Sequence, residues 1–227
     1  LKAIERSGVT RYFVEENNGR RLGAGSYRVG VFADGRNGKL FYGAAVTNPE
    51  RAVSFTNSAG TGNNTNNQFA YWANAGFNGS HSTGTYLFGA GVGILPDQGG
   101  KSGTSPFGVG TGADLSVWTV YTDLTFGKMN LAAEYLTADV DRGVSATQDA
   151  TPWGYWIQPS FQFSDKLELV GRYSYLDTDG RGVNLSDGVR SAPGGGTMDK
   201  LTEMYLGLNY YIKGNDLKFQ LGWVYGK

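Results

Sequence analysis

The sequence predicts an all-β chain whose antiparallel sheet presents one face to lipid, and three observations predict it. Ten segments alternate apolar and polar residues. Successive strand side chains face opposite sides of a sheet, so each segment has one greasy face and one wet face. The greasy faces carry no charge, as in Leu206, Leu208, Tyr210 and Ile212, then Leu217, Phe219, Leu221, Trp223 and Tyr225. The segments are roughly ten residues long, enough for a tilted strand to cross a bilayer. The connections between them alternate short and long, the signature of short turns on one side of a membrane and long loops on the other. Together these features predict a transmembrane β-barrel.

The strands follow in order. Strand 23–33 turns Tyr27, Val29 and Val31 outward and Arg28 inward, and Asp34–Gly38 closes it with a glycine-containing tight turn. Strand 38–47 places Leu40, Tyr42, Ala44 and Val46 outward, with Lys39 opposite. A long polar connection, 48–66, ends in Asn63, Asn64 and Asn66. Strand 67–77 follows, with Phe69, Tyr71 and Phe77 outward and Trp72 and Asn74 inward, and 78–84 leads into strand 85–95 with Tyr86, Phe88, Val92 and Ile94 outward. After 96–114, strand 115–126 turns Trp118, Val120 and Leu124 outward and Asp123 inward. Gly127–Met129 leads into strand 130–138, with Tyr135 outward and Glu134 inward. Past 139–152 come strands 153–163 and 166–177, whose inward positions hold Trp156, Gln158, Glu168 and Arg172. Pro159 lies on the outward side in mid-strand, where its missing N–H predicts a bulge or an edge. The long connection 178–200 precedes strands 201–213 and 217–226, with Asn209, Lys218 and Gln220 inward. Aromatics gather at strand ends, as interfacial girdles require. A soluble β-sandwich is the competing fold, but its solvent faces carry more Lys, Glu and Thr than these do.

Composition narrows the function. Charged residues make up 18% of the 227 residues, below the roughly 25% of soluble domains. Lys+Arg and Asp+Glu number 20 each, and that balance argues against a nucleic-acid partner. Cysteine is absent, which removes disulfides, thiolate metal sites and thiol nucleophiles. No run of about 20 apolar residues offers a transmembrane helix, and a β-barrel needs none. No catalytic constellation surrounds His81, the single histidine. Asp139/Asp141 and Asp177/Asp179 are carboxylate pairs in or beside loops and read as solvated rather than as metal sites. Gly108–Gly112 precedes a strand and is no phosphate loop. Neither enzyme activity nor a cofactor nor a metal is expected.

The stretch Thr151-Pro152-Trp153-Gly154-Tyr155-Trp156-Ile157-Gln158-Pro159-Ser160, followed by Asp165–Ser174, resembles the bacterial phosphate-selective porin O and P family. Gly207–Asn215 with Leu217-Lys218 is similar to its penultimate hairpins, and Glu5-Arg6-Ser7 and Arg21-Leu22-Gly23 to its middle region. The resemblance implies a barrel of about sixteen strands, usually trimeric, of which this chain supplies the middle and later part. Residues 1–227 are then one barrel domain, incomplete at both ends. Leu1–Arg6 has no apolar signal region and Lys227 is no aromatic terminal residue, so a longer native protein is expected.

A pore selects by diameter, lining charge and hydrogen-bonding groups. The candidate lining residues are Arg28, Lys39, Asp123, Glu134, Glu168, Arg172 and Lys218, close to balanced in charge. Arg172 either faces solutes or pairs with Glu134 or Glu168 in the wall. Segment 8–22 gathers Arg11, Arg20 and Arg21 with Asn17, Asn18 and Gly19. It reads as a solvated loop or as part of a constriction, in which Glu15 and Glu16 would oppose anion attraction. Inward Trp72 and Trp156 either stack sugars or fill space beneath a folded loop. The expected function is a passive outer-membrane channel for small hydrophilic solutes, with anions such as phosphate among them. Its partners would be the bilayer, lipopolysaccharide and two further copies in a homotrimer. The rival reading is a structural or surface-binding barrel plugged by loops such as 48–66 and 178–200.

Overall fold

The computed structural model describes residues 2–15, 22, 24–25, 29–47, 69–96, 114–141, 149–188 and 196–227. Ten strands form one antiparallel meander: β1 (Gly30–Asn37), β2 (Leu40–Thr47), β3 (Ala70–His81), β4 (Gly84–Leu95), β5 (Asp114–Phe126), β6 (Met129–Asp141), β7 (Trp153–Ser164), β8 (Leu167–Asp177), β11 (Lys200–Lys213) and β12 (Leu217–Gly226). Each strand pairs with its neighbour in the chain, except that β8 pairs with β11 across a small hairpin of β9 (Val183–Asn184) and β10 (Thr197–Met198). Among the described residues the sheet is open, with β1 and β12 as its edges.

The predicted strands stand, most of them within three residues of their predicted ends. The first is the exception. It begins at Gly30, and Asp34–Asn37 continue it rather than turning. The turn tightens to Gly38-Lys39, with Gly38 at φ +59°, a conformation glycine adopts without steric cost. Short and long connections alternate as expected.

Lipid-facing parity holds along every strand. Val31, Tyr42, Phe88, Trp118, Val120, Leu206, Leu221 and Trp223 are exposed on one face. Charged residues on that parity fall only at the long-loop ends of strands, as with Asp114, Asp139, Asp141, Asp177 and Lys200. Asp177 and Lys200 pair there at 3.2 Å. Pro159 stands inside β7, and the β7–β8 ladder lapses between Ile157 and Ser160. The ladder loses its bonds where proline brings no N–H. Gly171 faces the ring across the gap, where a Cβ would sit 3.8 Å from Pro159 Cγ.

The inner face holds what periodicity 2 does not show. A helix, α1 (Gly8–Val14), packs on the inner side of β6, β7 and β8. Ser7 caps it, its Oγ accepting from Thr10 N at 3.1 Å. Val9, Tyr12 and Phe13, at helical spacing, are fully buried. Each such burial contributes about 1.5–3 kcal/mol. The chain then returns along the helix: Leu22, Ala24 and Gly25 donate backbone bonds to Tyr12, Phe13 and Val14. The β8–β11 connection closes over the helix with β9, β10 and a single turn, α2 (Leu185–Gly188). The resulting apolar core joins Tyr12 and Phe13 to Leu95, Leu115, Leu136, Leu176, Val183 and Leu201.

Candidate functional site

Among the described residues, the N-terminal segment covers part of the inner face and borders a cavity on the rest. On the covered part it is fastened by polar contacts. Arg172 donates from Nε to Glu203 Oε1 at 3.0 Å and from Nη1 to the Glu5 carbonyl at 2.7 Å. Glu203 Oε2 accepts from Gly8 N at 2.8 Å, at the start of the helix. Both side chains of the pair are buried, and the guanidinium also lies 5.2 Å from the Tyr205 ring centroid. Lys2 reaches Glu168 at 2.8 Å and Ser160 at 2.9 Å. Asn209 and Gln220 donate to the Lys2 carbonyl. The second oxygen of Glu168 accepts from Asn209 and Tyr211. Arg172, Glu203 and Glu168 are therefore paired and hydrogen-bonded, the condition for burying them at tolerable cost.

Glu134 marks the border between the two parts. Its oxygens accept from Thr10 Oγ1 at 3.2 Å, Thr119 Oγ1 at 3.2 Å and Trp156 Nε1 at 2.8 Å. Beyond it, over β1–β5, lies a cavity of about 560 Å³. Small residues at the inward positions leave its floor clear: Gly43, Ala45, Gly91 and Gly93. Asp34 and Asn74 flank Gly43, and Phe32 and Trp72 flank Ala45.

The candidate lining residues separate accordingly. Asp123, Glu134, Glu168 and Arg172 take inward positions on the strands. Asp123 accepts from Asn130 Nδ2. Arg172 pairs with Glu203, not with Glu134 or Glu168. Lys218 lies near the β11–β12 turn, its Nζ 5.8 Å from the Tyr211 ring centroid. Lys39 stands in the Gly38-Lys39 turn, its Nζ 5.7 Å from the Tyr86 ring centroid, at the rim of the sheet. Arg28 is outside the described residues, as are Arg20, Arg21, Glu16 and Asn17–Gly19, the asparagine cluster of 48–66, and Gly108–Gly112. Arg11 belongs to α1, is buried, and meets Glu15 at 3.5 Å one helical turn on. The 8–14 stretch is thus a packed helix rather than a solvated loop.

Three contributors escape the sequence reading. Glu203 sits at the same parity as Asn209 and could have been found by extending that strand's inward set. Asp34 is hidden by placing the first turn too early, and Phe32, at the inward parity of strand 23–33, could have been found by extending that strand's inward set. Trp156 is held beneath the inward segment by Glu134, whereas Trp72 borders the cavity. Asp177 faces Lys200, Asp179 accepts from Thr151 N, and no cluster of metal-ligating residues occurs among the described residues.

The fold has a known counterpart. A solved structure, a porin refined at 1.8 Å resolution, superposes with a TM-score of 0.54 at 13% identity, covering 88% of this chain and 56% of that porin's chain. The chain therefore spans little more than half of that porin's length. No curated protein matches the sequence. The pattern of the family described as phosphate-selective porin O and P matches residues 2–227. An uncharged outer face, a meander with loops long on one side, and an inward-folded segment on a polar wall are the physical content of that match: the chain belongs to the phosphate-selective porin O and P family.

Proposed function

We propose that this chain forms wall and constriction of a passive, water-filled channel in the bacterial outer membrane, admitting small hydrophilic solutes. The observation that carries the reading is the partial covering of the inner face. Among the described residues, Lys2–Glu15, Leu22 and Ala24–Gly25 pack on the inner face and leave a cavity over β1–β5, so a passage past them is narrowed. Narrowing of this kind lets a pore select by size and lining charge without a gate or an energy source. No step in such passage needs a catalyst.

The family's name supplies phosphate as the finer reading. Among the candidate lining residues, Arg28, Arg20 and Arg21 would serve an anion path, with Asp123, Glu134, Glu168, Arg172, Lys39 and Lys218 setting the balance along the wall. The pairing of Arg172 with Glu203 and of Lys2 with Glu168 draws two cations away from that task. Assembly as a homotrimer in contact with lipid and lipopolysaccharide completes the proposal, on the family's likeness. The packed N-terminal segment also favours one rival, a barrel plugged from within and used as a surface scaffold. Reconstitution in planar bilayers separates the two. Stepwise ion conductance is expected, and its reversal potential in a salt gradient reports the preferred sign of charge. A folded, inserted protein that never conducts would contradict the channel.

A further inference from the structure

We infer that the cavity over β1–β5 is a binding site for a neutral sugar ring, with Trp72 as its stacking platform. The inference rests on the channel reading and names a solute for it. Strand register puts Phe32 and Trp72 in one inward row, two strands apart, with Ala45 between them. That separation is about 10 Å. The next inward row, about 7 Å along the strands, carries Asp34 and Asn74 on either side of Gly43. An apolar row therefore runs beside a polar one.

The indole lies flat on the sheet. A Cβ at Gly93 would come within 2.4 Å of a Trp72 ring carbon, so only glycine lets the ring settle there. Its Nε1 donates to Thr47 Oγ1 at 3.0 Å, which fixes the ring's rotation. One face of the ring covers Gly93, and the ring borders the cavity. Phe32 is 65% exposed on β1, the edge strand of the described sheet, and lines the cavity.

A pyranose matches this pairing of surfaces. Its C–H face is apolar and flat enough to lie on an aromatic ring, and its hydroxyls project from the edge. Asn74 offers both donor and acceptor to such hydroxyls, and Asp34 accepts. The volume, about 560 Å³, falls in the range of roughly 300–1,000 Å³ usual for small-molecule sites. Asp34 and Glu134 both line the cavity, and carboxylate oxygens accept from sugar hydroxyls.

The test is ion-current block by maltotriose, applied to the whole protein in planar bilayers. Saturable block is expected, with Trp72→Ala weakening it about tenfold, equivalent to about 1.4 kcal/mol. Trp72→Phe should retain most of the affinity. Gly91→Leu, which fills the floor without replacing the platform, should also remove the block. An open channel that maltotriose does not block, a block that Trp72→Ala leaves unchanged, or block by choline without block by maltotriose would each overturn the sugar site while leaving the channel intact. Absence of any ion current would instead overturn the channel reading, and the sugar site with it.

Discussion

Arg172 and Glu203 face each other across the β8–β11 pair two residues out of direct register, and together they hold the N-terminal segment to the wall. The register partners are Tyr205 for Arg172 and Ser174 for Glu203, so the ion pair runs diagonally on the inner face. The guanidinium binds the Glu5 and Arg6 carbonyls while the carboxylate receives Gly8 N. The pair thus joins strand to strand and both strands to the start of α1.

Removing one member should release the segment. Arg172→Ala leaves a buried carboxylate unpaired, a cost of about 3–5 kcal/mol. The expected result is a lower temperature for loss of the heat-stable folded form on electrophoresis, together with larger, noisier conductance steps. A double replacement, Arg172→Met with Glu203→Leu, should recover most of the stability, since apolar substitution of a whole buried pair is often neutral or better. Equal instability in the single and double variants would show that the pair's charge is not what matters.

Glu134 offers a separable charge effect. Glu134→Gln keeps an oxygen for the Trp156 indole and the Thr10 hydroxyl, and its amide nitrogen can donate to the Thr119 hydroxyl, but it removes a negative charge bordering the cavity. Reversal potential should shift toward anions with little change in folding. Glu134→Ala strands the buried donors at about 1–3 kcal/mol and should lower stability as well. An unchanged reversal potential in Glu134→Gln would place the ion path elsewhere.

Alkaline pH should loosen the helix through Tyr12. Burial raises its phenol above the usual value, against a smaller lowering by the Arg181 guanidinium, whose Nε donates to the phenol oxygen at 3.2 Å. A raised phenol keeps its proton in the folded protein at a pH where the unfolded chain loses it. The stability this contributes is complete below a pH of about 10 and is lost as pH rises through the folded value. Hydrogen exchange at residues 9–13 should accelerate in that alkaline window, and Tyr12→Phe should remove this part of the pH dependence.

The strands were legible because their rule is local. Alternation needs only successive residues, and lipid enforces it on every outward position from Val31 to Tyr225. The helix was less legible because its rule competes with the strand rule in a short segment. Val9, Tyr12 and Phe13 carry helical spacing behind a Ser7 cap, a signal that seven residues display only faintly beside the charged stretch that follows. The Arg172–Glu203 pair was half legible: parity places both inward, but the partner depends on which strands become neighbours after a long connection. The cavity was hidden by one turn. Moving the first hairpin from Asp34–Gly38 to Gly38-Lys39 brings Asp34 onto the wall beside Asn74 and sets Phe32 in register with Ala45 and Trp72.

The account depends on hydrocarbon touching the uncharged side of these strands. Because the chain has no cysteine, single-cysteine spin labels along β5 report that directly in the membrane-inserted protein. Labels at Trp118 and Val120 should collide readily with oxygen and poorly with a polar nickel reagent, while those at Thr119 and Tyr121 should show the reverse or be shielded from both. Collision with the nickel reagent at Trp118 and Val120, or the absence of any two-residue alternation, would contradict it.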